Sequence, residues 1–179
     1  MWINLEIWQK ASRLNKNIIL IGLMGSGKTA VGKVLCEHLS YLFLDTDLEI
    51  EIQEKKSIAD IFKENGEPYF RELESSICQE LATYTQKVIA TGGGIILSPS
   101  NREALLKAGL IIWLKTSLKT SLDRLKADHS RPLLSSDKEA TLQTLIEQRF
   151  PLYQALAHLT IQTDDKSINQ IAQEIISKL

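Results

Sequence analysis

An α/β fold, a mainly parallel sheet covered by helices on both faces, is predicted by three features of this chain. Short apolar, β-branched runs recur along it, separated by stretches in which apolar residues keep helical spacing; such alternation builds a parallel sheet through crossover helices. One of these runs leads directly into a glycine-rich loop followed by a helical pattern. The length of 179 residues supports one domain with a full core and leaves no clear room for two.

The composition sets bounds on function. Hydrophobic residues make up 44% and charged residues 24%, as in an ordinary soluble globular protein. A formal net charge of −1 advertises no basic field for nucleic acid or anionic membrane. No apolar run reaches the length of a membrane span. Cys36 and Cys78 fall in helical patterns without a CxxC or zinc spacing, so they read as small buried thiols in a reducing compartment, by default the cytoplasm. His38, His129 and His158 share no ligand spacing. His38 and His158 read as structural and His129 as a solvated residue, while Trp2, Trp8 and Trp113 read as packing residues.

Residues 1–16 form an N-terminal extension to a domain at 17–179. Glu6, Gln9, Lys10 and Arg13 interrupt any signal-peptide core. Ile3, Ile7, Ala11 and Leu14 fall near one stripe, which predicts a short amphipathic helix packed on the domain. Strands are expected at 17–22, 41–45, 87–91, 109–114 and 158–162. The first, Asn17 to Ile21, suits a buried parallel strand. It runs into Gly22-Leu23-Met24-Gly25-Ser26-Gly27-Lys28-Thr29, a complete P-loop. Glycines let such a loop turn tightly and aim successive N–H groups at a phosphate, and the following helix adds the positive end of its dipole. Lys28 is placed to reach the β- and γ-phosphates, and the Thr29 hydroxyl to bind Mg²⁺. Ala30, Val31, Val34, Leu35, His38 and Leu39 follow at helical spacing. The motif specifies nucleotide and metal and leaves the reaction open.

The second strand ends Phe43-Leu44-Asp45-Thr46-Asp47. Ligands of open parallel sheets bind beyond the carboxyl ends of the strands, so these acids should share the crevice of the P-loop. Alternation puts Asp45 and Asp47 on one side; Mg²⁺ would compensate one, and a substrate hydroxyl could donate to the other. The plainer alternative makes Asp47 the N-cap of the next helix. Ser57-Ile58-Ala59-Asp60 resembles a capping box with Asp in place of Glu. Gly66 to Glu74 follows, with Arg71 near the start of a helix expected at 67–84. Arg71 could pair on the helix surface with Glu67 or Glu74, but a cation is disfavoured near a helix N-terminus, which hints at an anionic partner for its planar guanidinium.

The third strand runs into Thr91-Gly92-Gly93-Gly94. Three glycines after a buried strand permit close backbone approach to a ligand, and the Thr91 hydroxyl could reach a metal's water shell. Ser98-Pro99 offers a cap followed by proline in a first helical turn. Residues 126–137 are polar and proline-containing, a mobile lid or an ordinary surface loop. Arg124, Arg131 and Arg149 flank or occupy this stretch, and Arg131 could bring charge over a γ-phosphate on closure. Pro151 should kink or delay the helix carrying Arg149. Ile168, Ile171, Ile175, Ile176 and Leu179 form the apolar face of a last helix.

Taken together, the motifs resemble those of the shikimate kinase family. The resemblance rests on the P-loop at Gly22 to Thr29, Phe43 to Asp47, Gly66 to Glu74, Ala90 to Gly94, Arg131-Pro132-Leu133-Leu134, and Arg149 to Tyr153. It covers about 17–179, with no departure at the motif positions. It implies a nucleoside-monophosphate-kinase-like, three-layer fold with a five-stranded parallel sheet in order 2-3-1-4-5, and a lid at about 124–137. It implies ATP-dependent phosphorylation of the shikimate 3-hydroxyl, with Mg²⁺, in chorismate and aromatic amino acid biosynthesis. Gly25, Ser26, Gly27, Lys28 and Thr29 would cradle the ATP phosphates, with Arg124 on the adenine and Arg131 touching both substrates. Thr29 and Asp45 would serve the metal. Asp47 would face the reacting hydroxyl, Arg71 and Arg149 would clamp the carboxylate, and Gly92, Gly93 and Gly94 would approach the substrate by backbone. Lys28, Asp47 and Arg131 are the expected catalytic residues. Shikimate and ATP are the expected partners of a monomeric enzyme. A small P-loop kinase for gluconate or a nucleoside monophosphate, and a catalytically idle binding protein, are the competing readings. The Phe43–Asp47 and Gly66–Glu74 segments oppose the first, and the presence of Lys28, Asp47 and Arg131 opposes the second.

Overall fold

The computed structural model describes residues 16–126 and 138–179. The helix expected within 1–16, most of the expected lid, and His129 and Arg131 lie outside the described residues.

The elements follow in the order β1 (Asn17–Ile21), α1 (Lys28–Leu39), β2 (Leu42–Asp45), α2 (Thr46–Glu54), α3 (Ile58–Glu80), β3 (Lys87–Ala90), α4 (Pro99–Ala108), β4 (Gly109–Lys115), α5 (Leu118–Lys126), α6 (Lys138–Leu156), β5 (Leu159–Gln162) and α7 (Ile168–Lys178). The five strands form one sheet in order β2-β3-β1-β4-β5, parallel at every junction. β1 is central. Its residues alternate between two cores, Ile19 and Ile21 on one face, Ile18 and Leu20 on the other, as the period of two requires. α1 and α7 cover the second face with Val31, Leu35, Ile171, Ala172 and Ile175. Ile61 and Ile77 of α3, Leu105 of α4 and Tyr153 of α6 cover the first. Each fully buried Ile or Leu contributes about 1.5–3 kcal/mol, so burial on both faces of β1 holds the strand that feeds the P-loop firmly in the sheet.

The lower end of β1 is pinned by a polar residue. Asn17 is fully buried. Its amide nitrogen donates to the carbonyls of Tyr84 at 2.7 Å, Ala108 at 2.9 Å and Leu81 at 3.3 Å. Its oxygen accepts from the Lys87 N–H at 3.1 Å. One side chain thereby joins β1, the end of α4, and the turn into β3, and meets its own desolvation cost.

Several elements differ from the sequence expectation. The helix expected at 67–84 begins nine residues earlier, because Ser57 caps Ile58 by accepting from the Asp60 N–H. The chain passes Gly66 without ending, but at φ 80, ψ 174, a region open to glycine alone. Glu67 to Glu80 therefore leaves at a new angle, and a short 3₁₀ turn, Leu81–Thr83, extends it. α6 continues through Pro151 to Leu156. Proline there removes one backbone donor without ending a helix whose Tyr153 and Leu156 are anchored in the core. Ser98 stands at the N-cap of α4 but its side chain makes no cap bond; it pairs instead with the Ser100 hydroxyl at 2.8 Å. Ile168 is 44% exposed, outside the apolar stripe that Ile171 and Ile175 define. Cys78 is buried and Cys36 only half-buried. Burial pushes the Cys78 thiol up to about 12, which leaves it unreactive at neutral pH. His38 is exposed, and His158 accepts through Nδ1 from the Ile111 N–H at 3.0 Å, a structural role.

Candidate active site

The loops that leave β1, β2, β3 and β4 open into one crevice, lined by Gly25, Gly27, Lys28, Thr29, Ala30, Asp45, Asp47, Thr91, Arg124 and Leu125. The P-loop fixes one wall. Gly22, Gly25 and Gly27 all have positive φ, at 149°, 76° and 89°. At Gly22 a Cβ would lie 2.6 Å from the Leu114 carbonyl oxygen, so the loop sits hard against β4 and no other residue fits. Gly27 is the N-cap of α1 and supplies no side-chain cap, whereas Ser57 and Ser167 cap α3 and α7. The first N–H groups of α1 are thus left facing the crevice by the chain's own design, which suits an anion at the positive end of the dipole.

Lys28 is nearly buried. Its Nζ donates to the carbonyls of Gly22 at 2.8 Å and Leu23 at 3.0 Å, and to Ser26 Oγ at 3.4 Å. The ammonium group is held inside the loop by the loop's own carbonyls. Thr29 donates through Oγ1 to Asp45 Oδ2 at 2.8 Å. That bond turns the Thr29 hydrogen away and leaves its lone pairs, beside an anionic carboxylate, for a hard cation. Among the described residues no group of three His, Cys, Asp or Glu side chains could hold a metal by itself. The donor set therefore suits Mg²⁺ held chiefly by phosphate and water oxygens.

Strand alternation does not extend through Asp47. β2 ends at Asp45, whose Oδ1 accepts from the Asp47 N–H at 3.1 Å. Asp45 is thus the N-cap of α2, and Asp47 lies in the first turn, where the helix dipole favours an anion. Both acids still line the crevice. The Thr91 hydroxyl donates to the Leu20 carbonyl at 3.0 Å, and Thr91 lines the crevice, so its lone pairs remain as acceptors.

The opposite wall is built around the three glycines after β3. The Gly92 N–H donates to Thr46 Oγ1 at 3.0 Å, which ties this turn to the start of α2. A Cβ at Gly92 would lie 2.5 Å from Asp47 Oδ1 and 2.8 Å from Glu74 Oε1. At Gly94 it would lie 2.4 Å from Arg71 Nη1, and at Gly93 3.4 Å from Arg149 Nη1. The glycines are needed because two acids and two arginines crowd the same backbone. Arg71 donates through Nη1 to Glu74 and through Nη2 and Nε to Glu67 at 2.7 and 3.1 Å, which spends three of its five donors. Burial opposes its charge, but Glu74 and Glu67 outweigh this and raise its pKa. Arg149 Nε is buried with no hydrogen-bond partner among the described residues. Tyr153, one turn on, donates to the Gly93 carbonyl at 2.6 Å, and its ring stacks on Trp113. Burial pushes its hydroxyl well above the usual tyrosine range, so it remains a donor.

The structure brings together Gly25, Ser26, Gly27, Lys28, Thr29, Asp45, Asp47 and Arg124 around the P-loop side of the crevice. It gathers Asp47, Arg71, Gly92, Gly93, Gly94 and Arg149 around the other. Glu74 and Tyr153, which close the Gly66–Glu74 and Arg149–Tyr153 motifs without an expected site role, belong to the second cluster. The available signal for Glu74 was its place three residues after Arg71, on the same helix face. For Tyr153 it was the spacing of four from Arg149.

Glu74 is almost wholly buried. Burial raises its pKa, Arg71 lowers it, and Asp47 adds to the rise; the net direction is upward from 4.5. The native state therefore holds this proton more tightly than the unfolded chain. Stability falls as pH climbs from the ordinary glutamate range through the raised native value. Urea unfolding at pH 5 and pH 8 should show this loss, and the Glu74→Gln variant, which cannot ionise there, should show a smaller one.

A P-loop at a helix N-terminus, a Thr–Asp pair fit for Mg²⁺, and a facing wall that carries Asp47 and two arginines define a small-molecule phosphotransferase of the nucleoside-monophosphate-kinase-like class. The family model for shikimate kinase matches residues 24–179. The shikimate kinase of Symbiobacterium thermophilum is 45% identical over 166 residues, covering 91% of this chain and 95% of its own. The structure titled shikimate kinase from Acinetobacter baumannii in complex with shikimate superimposes with a TM-score of 0.89 at 41% identity, covering 94% of each chain. A gluconokinase from Sinorhizobium meliloti, at 19% identity and a TM-score of 0.59, shares the fold alone. The chain belongs to the shikimate kinase family.

Proposed function

We propose that the protein transfers the γ-phosphoryl group of ATP to the 3-hydroxyl of shikimate, acting as a monomer in the cytoplasm. The observation that carries this reading is the crowding of Asp47, Arg71 and Arg149 against Gly92–Gly94. It supplies two guanidiniums for a carboxylate and one carboxylate for a hydroxyl, which matches the carboxylate and one of the three hydroxyls of shikimate.

The substrate oxygen attacks the γ-phosphorus, the bond from that phosphorus to the bridging oxygen of ADP breaks, and the hydroxyl proton leaves toward Asp47. The N–H groups of the P-loop and of the uncapped α1 hold the phosphates. Lys28 trades its loop carbonyls for the β- and γ-phosphates, and stabilises the charge that moves onto the leaving oxygen. Thr29 and Asp45 would hold Mg²⁺, which when bound would neutralise phosphate charge. Arg124 faces the base, and Arg131 is assigned to both substrates through the Arg131–Leu134 motif. Arg71 and Arg149 fix the carboxylate, so that the 3-hydroxyl stands in line with the γ-phosphate; positioning of this kind is most of what phosphoryl transfer asks of a protein.

A coupled ADP-release assay with shikimate and Mg·ATP tests the proposal. Turnover with shikimate is expected; turnover with gluconate or CMP but not with shikimate would overturn it. Arg71→Ala should raise the KM for shikimate by roughly 10- to 100-fold, the value of charge-assisted hydrogen bonds, and leave that for ATP nearly unchanged. Equal loss of both would refute the carboxylate clamp.

A further inference from the structure

Arg124 is held by its edges. Its Nη1 donates to the Gly25 carbonyl at 3.1 Å and to Thr163 Oγ1 at 3.3 Å, and its Nη2 donates to the Thr163 carbonyl at 2.9 Å. Bonds to the edge of a guanidinium fix the orientation of its plane and leave a face available for stacking. Two of these three acceptors belong to Thr163, which no step of the mechanism uses. Thr163 follows β5, is completely buried, and donates its own N–H to the Lys115 carbonyl at 2.9 Å. Its hydroxyl pairs with that of Thr116, also buried, at 2.8 Å.

The packing explains why a hydroxyl is needed. Thr116 is the first residue after β4, and Thr163 the first after β5. Their hydroxyls meet between the two strand ends. When Thr163 Oγ1 passes its hydrogen to Thr116, its lone pairs face Arg124 as acceptors. The same guanidinium then reaches Gly25, whose left-handed turn packs directly on Ser121 of α5, a Cβ there lying 3.1 Å from the Ser121 carbonyl oxygen. One arginine thus braces the P-loop against the loop after β5, and its angle is decided by Thr163.

We propose that Thr163, backed by Thr116, is a positioning residue for the nucleotide: it sets the plane of Arg124 on which the base of ATP stacks. This rests on the reading of Arg124 as a nucleotide contact. A base without its platform weakens ATP binding, while the shikimate side, carried by Arg71, Arg149 and the three glycines, is untouched.

The test is steady-state kinetics of Thr163→Val and Thr163→Ser, with Arg124→Ala as reference. Thr163→Val should raise the KM for ATP about three- to tenfold, the worth of one or two hydrogen bonds. The kcat and the KM for shikimate should stay within about twofold. Thr163→Ser, which keeps the hydroxyl, should restore the KM for ATP. Competition by inorganic triphosphate, which has no base, should be unaffected by Thr163→Val. Should the single variant fold poorly, the paired Thr116→Val, Thr163→Val variant leaves neither hydroxyl orphaned and makes the same prediction. A rise in both KM values, no rescue by serine, or an unchanged KM for ATP when Arg124→Ala raises it would overturn the proposal. An unchanged KM for ATP in Arg124→Ala would instead remove the reading of Arg124 on which it stands.

Discussion

Lys28→Met will lower kcat by at least roughly 10²–10³, the range for removing one preorganised donor from a developing charge, with a smaller effect on the KM for shikimate. The expectation follows from where the ammonium stands. It lies inside the P-loop, bonded to Gly22 and Leu23 carbonyls and to Ser26 Oγ, at the base of a helix with no side-chain cap. Methionine matches the length of the stem and fills the same nearly buried channel, so the loss is mainly of charge. Nothing else in the loop can supply that charge, because the N–H groups of α1 carry only partial charges. The measurement is kcat by ADP release, together with thermal unfolding to show that the fold survives. A kcat within tenfold of the parent enzyme would mean that the phosphates are held without Lys28, and that the lysine serves only to tie Gly22 and Leu23.

The sheet was legible because its strands are buried on both faces. Ile18 to Ile21 and Leu110 to Leu114 are continuous apolar runs, a signal that survives without any knowledge of neighbours. Alternation with helices then determines that the sheet is parallel. Strand order needed the family resemblance, since periodicity says nothing about which strands pair. What local pattern could not reveal lay where tertiary contacts override it. The local pattern begins a helix at 67, but Ser57 starts it upstream and both halves are anchored, by Ile61 before Gly66 and Phe70 after it. Pro151 is expected to kink or delay its helix, and the core keeps Tyr153 and Leu156.

The site was legible to a similar depth. The glycines that follow the third strand are the points where charges press on backbone: Gly92 under Asp47 and Glu74, Gly94 under Arg71. The partners of those charges were less visible. Arg71 and Glu74 are near in sequence, but Arg124 and Thr163 lie 39 residues apart, and only the meeting of β4 and β5 brings them together. Asp45 and Asp47 reach the crevice because they lie at the carboxyl end of β2, but a helix cap rather than strand alternation sets their mutual geometry.

Asp47→Asn should abolish most turnover, lowering kcat by roughly 10²–10⁴, the span attributed to general acid–base catalysis, while ATP binding stays nearly intact. The substitution is isosteric, and Asp45, not Asp47, caps α2, so the helix start and the Gly92 contact are preserved. Two forces act on the carboxylate. The first turn of α2 favours its charge, while the buried Glu74 beside it repels that charge; Arg71 and Arg149 balance Glu74 and so keep a second anion tolerable next to Gly92. An asparagine can still accept a hydrogen bond from the 3-hydroxyl through its amide oxygen, but it cannot take the proton. The size of the loss therefore separates two roles. A fall of a hundredfold or more, with the KM for shikimate changed by less than about threefold, assigns proton acceptance to Asp47. A fall of tenfold or less means that orienting the hydroxyl is its whole contribution, and that the proton leaves with the phosphoryl group or through solvent.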